Sequence, residues 1–239
     1  MKIRSIALLL LFSGQFELWA QGGRPDAAAL VREVRFGQAA QSYELSGELS
    51  KRGRSVPFRM SLAAELKLLK FRFNQPTQVI SLALKDNRYE LQELVAGGGA
   101  AKPLAQERYS EAIRGTDVTY EDISQRFLYW PDPVILGDKK IRTTIWRDTW
   151  VIQLENPRRD LGPYGTVKIW VDKESRALLQ VEAYDRQRRL VKRFKVIVVQ
   201  KDPELGIWLL QKMRIETIDP QTNRRKWTYM KMNKPVRME

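Results

Sequence analysis

The 239-residue chain contains neither cysteine nor histidine. Without cysteine there is no disulfide, no thiolate nucleophile, no thiolate metal site and no acylated lipoprotein cysteine. Without histidine the commonest general base is missing, and with it serine–histidine triads and imidazole zinc sites. Long apolar runs are lacking too: Ile6 to Phe12 is too short to cross a bilayer as a helix. The glycines of Ala96 to Ala101 are too sparse and unpatterned for a phosphate-binding motif, and no stretch has the alternating acids of a calcium loop. No cofactor or metal site is expected.

What is present suits one large β domain. Apolar residues make up 43% of the chain, enough to bury a full core. The net charge is +14, which points to an anionic partner or to a heavily solvated face. Lys2 and Arg4, the apolar run and Leu18-Trp19-Ala20 form a secretory signal cleaved near Ala20, leaving a mature domain of 21–239. Export removes nucleic acid from the expected partners.

Gly115 to Trp130 is the clearest interior helix. Tyr120, Ile123, Phe127 and Trp130 share one helical face, with Glu121, Asp122, Gln125 and Arg126 on the other. Thr119 is placed as N-cap, Asp122 completes a variant capping box, and Pro131 and Pro133 stop the helix. Such a helix either seals a sheet's core or acts as a lid on an apolar cavity. A second helix is expected over Pro25 to Gln41, with Ala27, Leu30, Val31 and Val34 on one stripe. The remainder alternates as strands. A phase slip at Leu68-Leu69 reads as a β-bulge, and Arg147-Asp148 reads as the turn between Lys140–Trp146 and Thr149–Glu155. About ten strands with short polar turns predict a curled antiparallel sheet.

Carboxylates do not form an active site in this pattern. Glu121-Asp122 sits at a helix start, and Asp148, Asp172, Asp185 and Asp219 sit at expected turns, where aspartate caps backbone. The protein is therefore not expected to be an enzyme. The run Arg186, Arg188, Arg189, Lys192, Arg193, Lys195, with Arg224-Arg225-Lys226 beside it, is either a solvated face or a dock for an anionic membrane or acidic protein. Trp146, Trp150, Trp170, Trp208 and Trp227 fall on strands, and a concave sheet lined with such side chains suits acyl chains.

The sequence GTDVTYED, Gly115 to Asp122, followed by a helix and an aromatic-rich meander, resembles the LolA-like outer-membrane lipoprotein-sorting proteins. Phe71 to Leu94, with Gln75-Pro76 ending one strand, and the stretches Trp150 to Pro157 and Tyr164 to Ser175 are similar to strands of that family. The resemblance implies a strongly curved, unclosed antiparallel β-barrel with two or three helices covering its concave mouth. It further implies a monomeric periplasmic carrier of lipoprotein or other lipid acyl chains, with an inner-membrane transporter as donor and an outer-membrane acceptor. Candidate lipid-binding residues are Phe58, Met60, Phe71, Phe73, Tyr120, Ile123, Phe127, Trp130, Trp150 and Trp170. Leu69-Lys70 stands where typical carriers have Arg-Pro, so the arginine that holds their lid has no counterpart here. The alternative is a non-catalytic structural or sensory envelope protein of the same fold.

Overall fold

Strict apolar–polar alternation commits most of the chain to strands, because one side of each strand must face a core. The computed structural model describes residues 25–37, 43–63, 67–85, 88–95, 100–158, 162–201, 208–233 and 236–237. The expected leader at 1–20, the turn at Asp86-Asn87, the loop at Ala96 to Gly99 and the turn at Asp202-Pro203 lie outside the described residues.

One antiparallel sheet contains β1 (Tyr43–Lys51), β2 (Arg54–Ala63), β3 (Leu68–Phe73), β4 (Gln78–Leu84), β5 (Tyr89–Val95), β6 (Lys102–Pro103), β7 (Val134–Arg142), β8 (Trp146–Glu155), β9 (Thr166–Asp172), β10 (Leu178–Tyr184), β11 (Leu190–Lys201), β12 (Trp208–Ile218), β13 (Arg225–Met232) and β14 (Val236–Arg237). Spatially the order is β6-β5-β4-β3-β2-β1-β13-β12-β11-β10-β9-β8-β7, with β14 beside β1. The chain thus starts in mid-sheet, meanders to one edge and crosses to the other as a strap, residues 104–133. It then meanders back until β13 pairs with β1. The edges β6 and β7 do not pair, so the curled sheet is unclosed. The count exceeds about ten partly because two-residue pairings such as β6 and β14 leave no alternation in the sequence.

Curvature comes from register shifts in β7–β12. They lie at Ile135/Gly137, Leu178/Gln180, Ala183/Tyr184 and between Val196 and Val199. The bulge expected at Leu68-Leu69 is absent: β3 pairs in unbroken register with both β2 and β4. The phase change instead reflects Lys67, which turns with φ 48° before the strand begins. The hairpin turn expected at Arg147-Asp148 lies at Thr143 to Ile145. There the Thr143 hydroxyl donates to the Ile145 carbonyl at 3.1 Å, a local side-chain bond that outcompetes further strand pairing.

The core has two contiguous parts. The first joins Phe58, Met60, Phe73, Ile80 and Leu82 to Ile113, Val118, Tyr120 and Ile123 of the strap. In the second, Leu30, Val31 and Val34 of α1 (Ala27–Gly37) pack on Phe127, Leu128 and Trp130 of the strap and on Ile152, Leu154 and Ile169. Asp26 caps α1, accepting from the amides of Ala28 at 3.2 Å and Ala29 at 3.0 Å.

Gly47 faces Phe58 and Met232 across the β1 seam. A Cβ there would lie 2.5 Å from the Lys231 carbonyl oxygen and 2.9 Å from the Phe58 ring. Gly47→Ala should therefore cost about 1–3 kcal/mol in urea unfolding, the usual overpacking range. An unchanged midpoint would mean that β1 can slide against β13.

Candidate functional site

The strap carries the capping box read from the sequence. Thr119 accepts from the Asp122 amide at 3.3 Å, and the Asp122 carboxylate accepts from the Thr119 amide at 2.8 Å. The helix it starts, α2 (Tyr120–Ser124), is shorter than expected. Gln125 adopts a left-handed conformation, φ 46°, and Arg126–Tyr129 follows as a 3-10 turn. The break brings the Arg126 guanidinium back onto Glu121, Nε to Oε1 at 2.7 Å, which a straight helix would not do. Tyr120, Ile123, Phe127 and Trp130 are all buried as the periodicity requires. Glu121, Asp122 and Arg126, expected to face water, are buried as well. The element is a strap with protein on both sides, and its polar side is held by ion pairs.

Two aspartates fasten its middle to the sheet. Asp117 takes the Lys51 ammonium of β1 at 2.9 Å and the Thr228 hydroxyl of β13 at 2.9 Å, while its own amide donates to Thr228 Oγ1. Lys192 of β11 donates to the Asp117 carbonyl and lies 2.8 Å from the Asp122 carboxylate. The Tyr164 hydroxyl donates to the other Asp122 oxygen at 2.8 Å. Burial, and then the adjacent Asp122, push the Tyr164 hydroxyl well above its ordinary value. Lys192 is 4% exposed, so the run of basic residues read as one face is split by strand alternation. Arg193, its neighbour, points the other way and pairs with Glu182 and Glu216.

The strap's first half is fastened at β4 and β5. Glu93 accepts from the Tyr120 hydroxyl and Gln78 Nε2, each at 2.5 Å, and from Arg108. Burial works to raise the Glu93 carboxyl, but these donors outweigh it and leave the group below its ordinary value. Arg114 reaches Gln78 Oε1 at 2.9 Å and the Pro76 carbonyl at 2.6 Å. In the second half, burial pushes the Glu121 carboxyl up to about 7 despite the Arg126 guanidinium. Gly162 lies over this pair with φ 75°, and a Cβ there would fall 1.7 Å from an Arg126 nitrogen.

Beneath α2 lies an apolar cavity of about 40 Å³, bounded by Phe71, Ile123, Phe127, Phe194, Met213 and Met230 among others, with Asp122 and Gln125 at its margin. It is well under the ~150 Å³ of an engineered void that admits benzene. Of the candidates read from sequence, Phe71, Ile123 and Phe127 border it. Phe58, Met60, Phe73 and Tyr120 belong to the first part of the core, as does Trp170. Trp130 is in the second part and Trp150 packs against it, with the Lys173 ammonium 3.9 Å from the Trp150 ring centre. Trp146 and Trp227 are exposed, and the side chain of Trp208 lies outside the described residues. Sequence reasoning missed Val118, Val181, Phe194, Met213, Ile215 and Met230, although alternation in β12 and β13 marks the last three as inward. It also missed Asp117, Lys192, Tyr164 and Thr228, whose partners are far away in sequence.

A family profile described as "Uncharacterized protein" matches residues 99–237. No curated protein matches the chain. Among solved structures, an outer-membrane lipoprotein-sorting protein domain, so described, from Vibrio parahaemolyticus is 17% identical, with TM-score 0.67 over 87% of this chain and 90% of that one. A DUF1329 family protein from Desulfovibrio piger is 15% identical, with TM-score 0.63 over 88% and 93%. A LolA superfamily protein from Nitrosomonas europaea is 15% identical, with TM-score 0.59 over 89% and 92%. These likenesses establish a LolA-like fold.

Two outcomes follow from the fastenings. Lys192→Met should cost about 3–5 kcal/mol in chemical unfolding, because it leaves the buried Asp122 carboxylate without its counter-charge. A loss below 1 kcal/mol would mean that the strap does not depend on this pair. For Glu121 the native state holds its proton to higher pH than the unfolded chain, whose ordinary value is 4.5. Between about pH 4.5 and 7 this group therefore lowers stability as pH rises. Glu121→Gln, which is neutral at every pH, should flatten that part of the stability–pH curve. Parallel curves for parent and variant would contradict the assignment.

Proposed function

We propose that this chain, which belongs to the family matched over residues 99–237 and has a LolA-like fold, is an exported carrier of acyl chains. It would hold lipoproteins or other lipids beneath the strap and pass them from an inner-membrane transporter towards an outer-membrane acceptor, acting as a monomer in the periplasm. No catalytic residue is required, since transfer follows relative affinity.

The observation that carries this reading is how the strap is held. A permanent plug would be most stable if packed by apolar side chains alone, because buried ion pairs are often no better than hydrophobic replacements. Here Lys51, Lys192, Asp117, Asp122 and Glu93 hold the strap over an apolar floor. When the strap lifts, these groups can exchange one another for water, and the floor is free for an acyl chain. The floor includes Met213 and Met230, whose unbranched side chains adapt to irregular ligands. Each methylene buried there would contribute about 0.8 kcal/mol, offset by the strap contacts it replaces, so net affinity stays modest. Val134 and Leu136 are exposed on β7, where the strap meets the edge of the sheet, and offer an apolar approach.

One observation favours the structural or sensory alternative: the cavity of about 40 Å³ is largely filled by the protein's own side chains. Native mass spectrometry of protein purified without detergent separates the two. Adducts of lipid mass support the carrier; no adduct, together with no binding of a fluorescent fatty acid, retires it. Phe127→Ala sharpens the test. Phe127 is buried, so its truncation should cost about 3–5 kcal/mol in lipid-free protein. The same truncation should tighten binding of the probe, because the larger void already accommodates part of its chain. Unchanged binding would put the ligand elsewhere.

A further inference from the structure

Three hairpin turns that are distant in sequence lie side by side at one end of the sheet. The order β2-β1-β13-β12-β11-β10 sets the β1–β2, β12–β13 and β10–β11 turns in a row. With strands about 4.8 Å apart, neighbouring turns are roughly 10 Å apart, close to one screening length, so their charges act as a single field. Arg52, Arg54, Arg188, Arg224, Arg225 and Lys226 are exposed on this rim. The acids among them are occupied with the turns themselves. Asp219 accepts from the amides of Gln221 and Thr222, and Asp185 from those of Gln187 and Arg189 as well as from the Arg189 guanidinium.

Several cations on the strands behave differently. Arg193 pairs with Glu182, Arg214 with Glu216 and Lys231 with Glu48. None of the six rim cations named forms an ion pair with a described residue. These strand cations are paired, whereas the six on the turns are not. Trp227 stands beside the rim on β13, 49% exposed.

We infer that this rim docks the protein onto an anionic phospholipid surface, with Trp227 at headgroup level. Mobile phosphates can gather under cations fixed on separate turns, and a half-exposed tryptophan suits the boundary between headgroup and acyl chain. Single-stranded nucleic acid would call for several stacking aromatics, and the rim has one. A stable protein partner would call for a contiguous apolar centre, which a row of charged turns lacks. The inference does not depend on what lies beneath the strap, so it can fail or hold independently of the carrier reading.

Co-sedimentation with vesicles tests it. The protein should pellet with phosphatidylcholine vesicles that contain phosphatidylglycerol, not with phosphatidylcholine alone, and should be released as salt rises. Each basic side chain near such a surface contributes roughly fivefold to binding. Replacing Arg54, Arg188 and Arg224 with Gln should therefore weaken binding on the order of a hundredfold. Replacing Lys70 and Lys139, exposed elsewhere, should change it little. If the triple variant melts lower, Arg224→Gln alone should still lose about fivefold. Brominated lipid should quench the parent's fluorescence more than that of Trp227→Ala. Equal binding to neutral vesicles, indifference to the triple replacement, or retention by DNA or an acidic peptide without vesicle binding would overturn the inference.

Discussion

One buried ammonium does much to define this molecule. Lys192 lies inside the curled sheet and bonds at once to the Asp117 carbonyl and the Asp122 carboxylate. An ion desolvated to this degree costs several kcal/mol unless its partners are close and themselves well placed. They are: Thr119 and Tyr164 orient Asp122, while Lys51 and Thr228 orient Asp117. The need to satisfy that charge fixes where the strap crosses the sheet. It therefore fixes which apolar side chains of β11 to β13 face the strap rather than water. Because the two edges of the sheet never pair, the strap does the work that a closing strand would do in a full barrel.

The parts of this arrangement legible in the sequence are those decided by near neighbours. Alternation located most strands, the Thr119–Asp122 spacing located the start of α2, and the Leu30, Val31, Val34 stripe located α1 and its buried side. The parts that were not legible depend on distant partners. Helical periodicity puts Glu121 and Arg126 on a solvent face, and nothing local reveals that Gln125 reverses its backbone to join them. Lys192 reads as one more cation in a basic run until the register of β10 and β11 sends it inward. The Thr143 to Ile145 turn was hidden for a different reason: Arg147-Asp148 has good turn chemistry, but Arg147 is required at Asp172.

Charge is distributed by the same logic. Buried ions hold the strap, several outward ions on the strands neutralise one another, and six cations on the turns of one end form no ion pair with a described residue. The Lys51–Asp117 anchor belongs to both systems, since Lys51 immediately precedes Arg52 and Arg54. A surface that draws the rim cations towards itself acts on the residue next to the anchor. The proposed docking rim and the anchor of the strap are thus neighbours along the chain as well as in space.

The strap is covalently continuous with an edge of the sheet at each end. A flap hinged at one end can swing clear and uncover a mouth of any width. A cord tied at both ends can only bow outwards or draw its two posts with it. The room beneath it is then metered by the slack in the cord and the compliance of β6 and β7, not by the breadth of the sheet. Lengthening the cord would enlarge that room, and stiffening either post would shrink it.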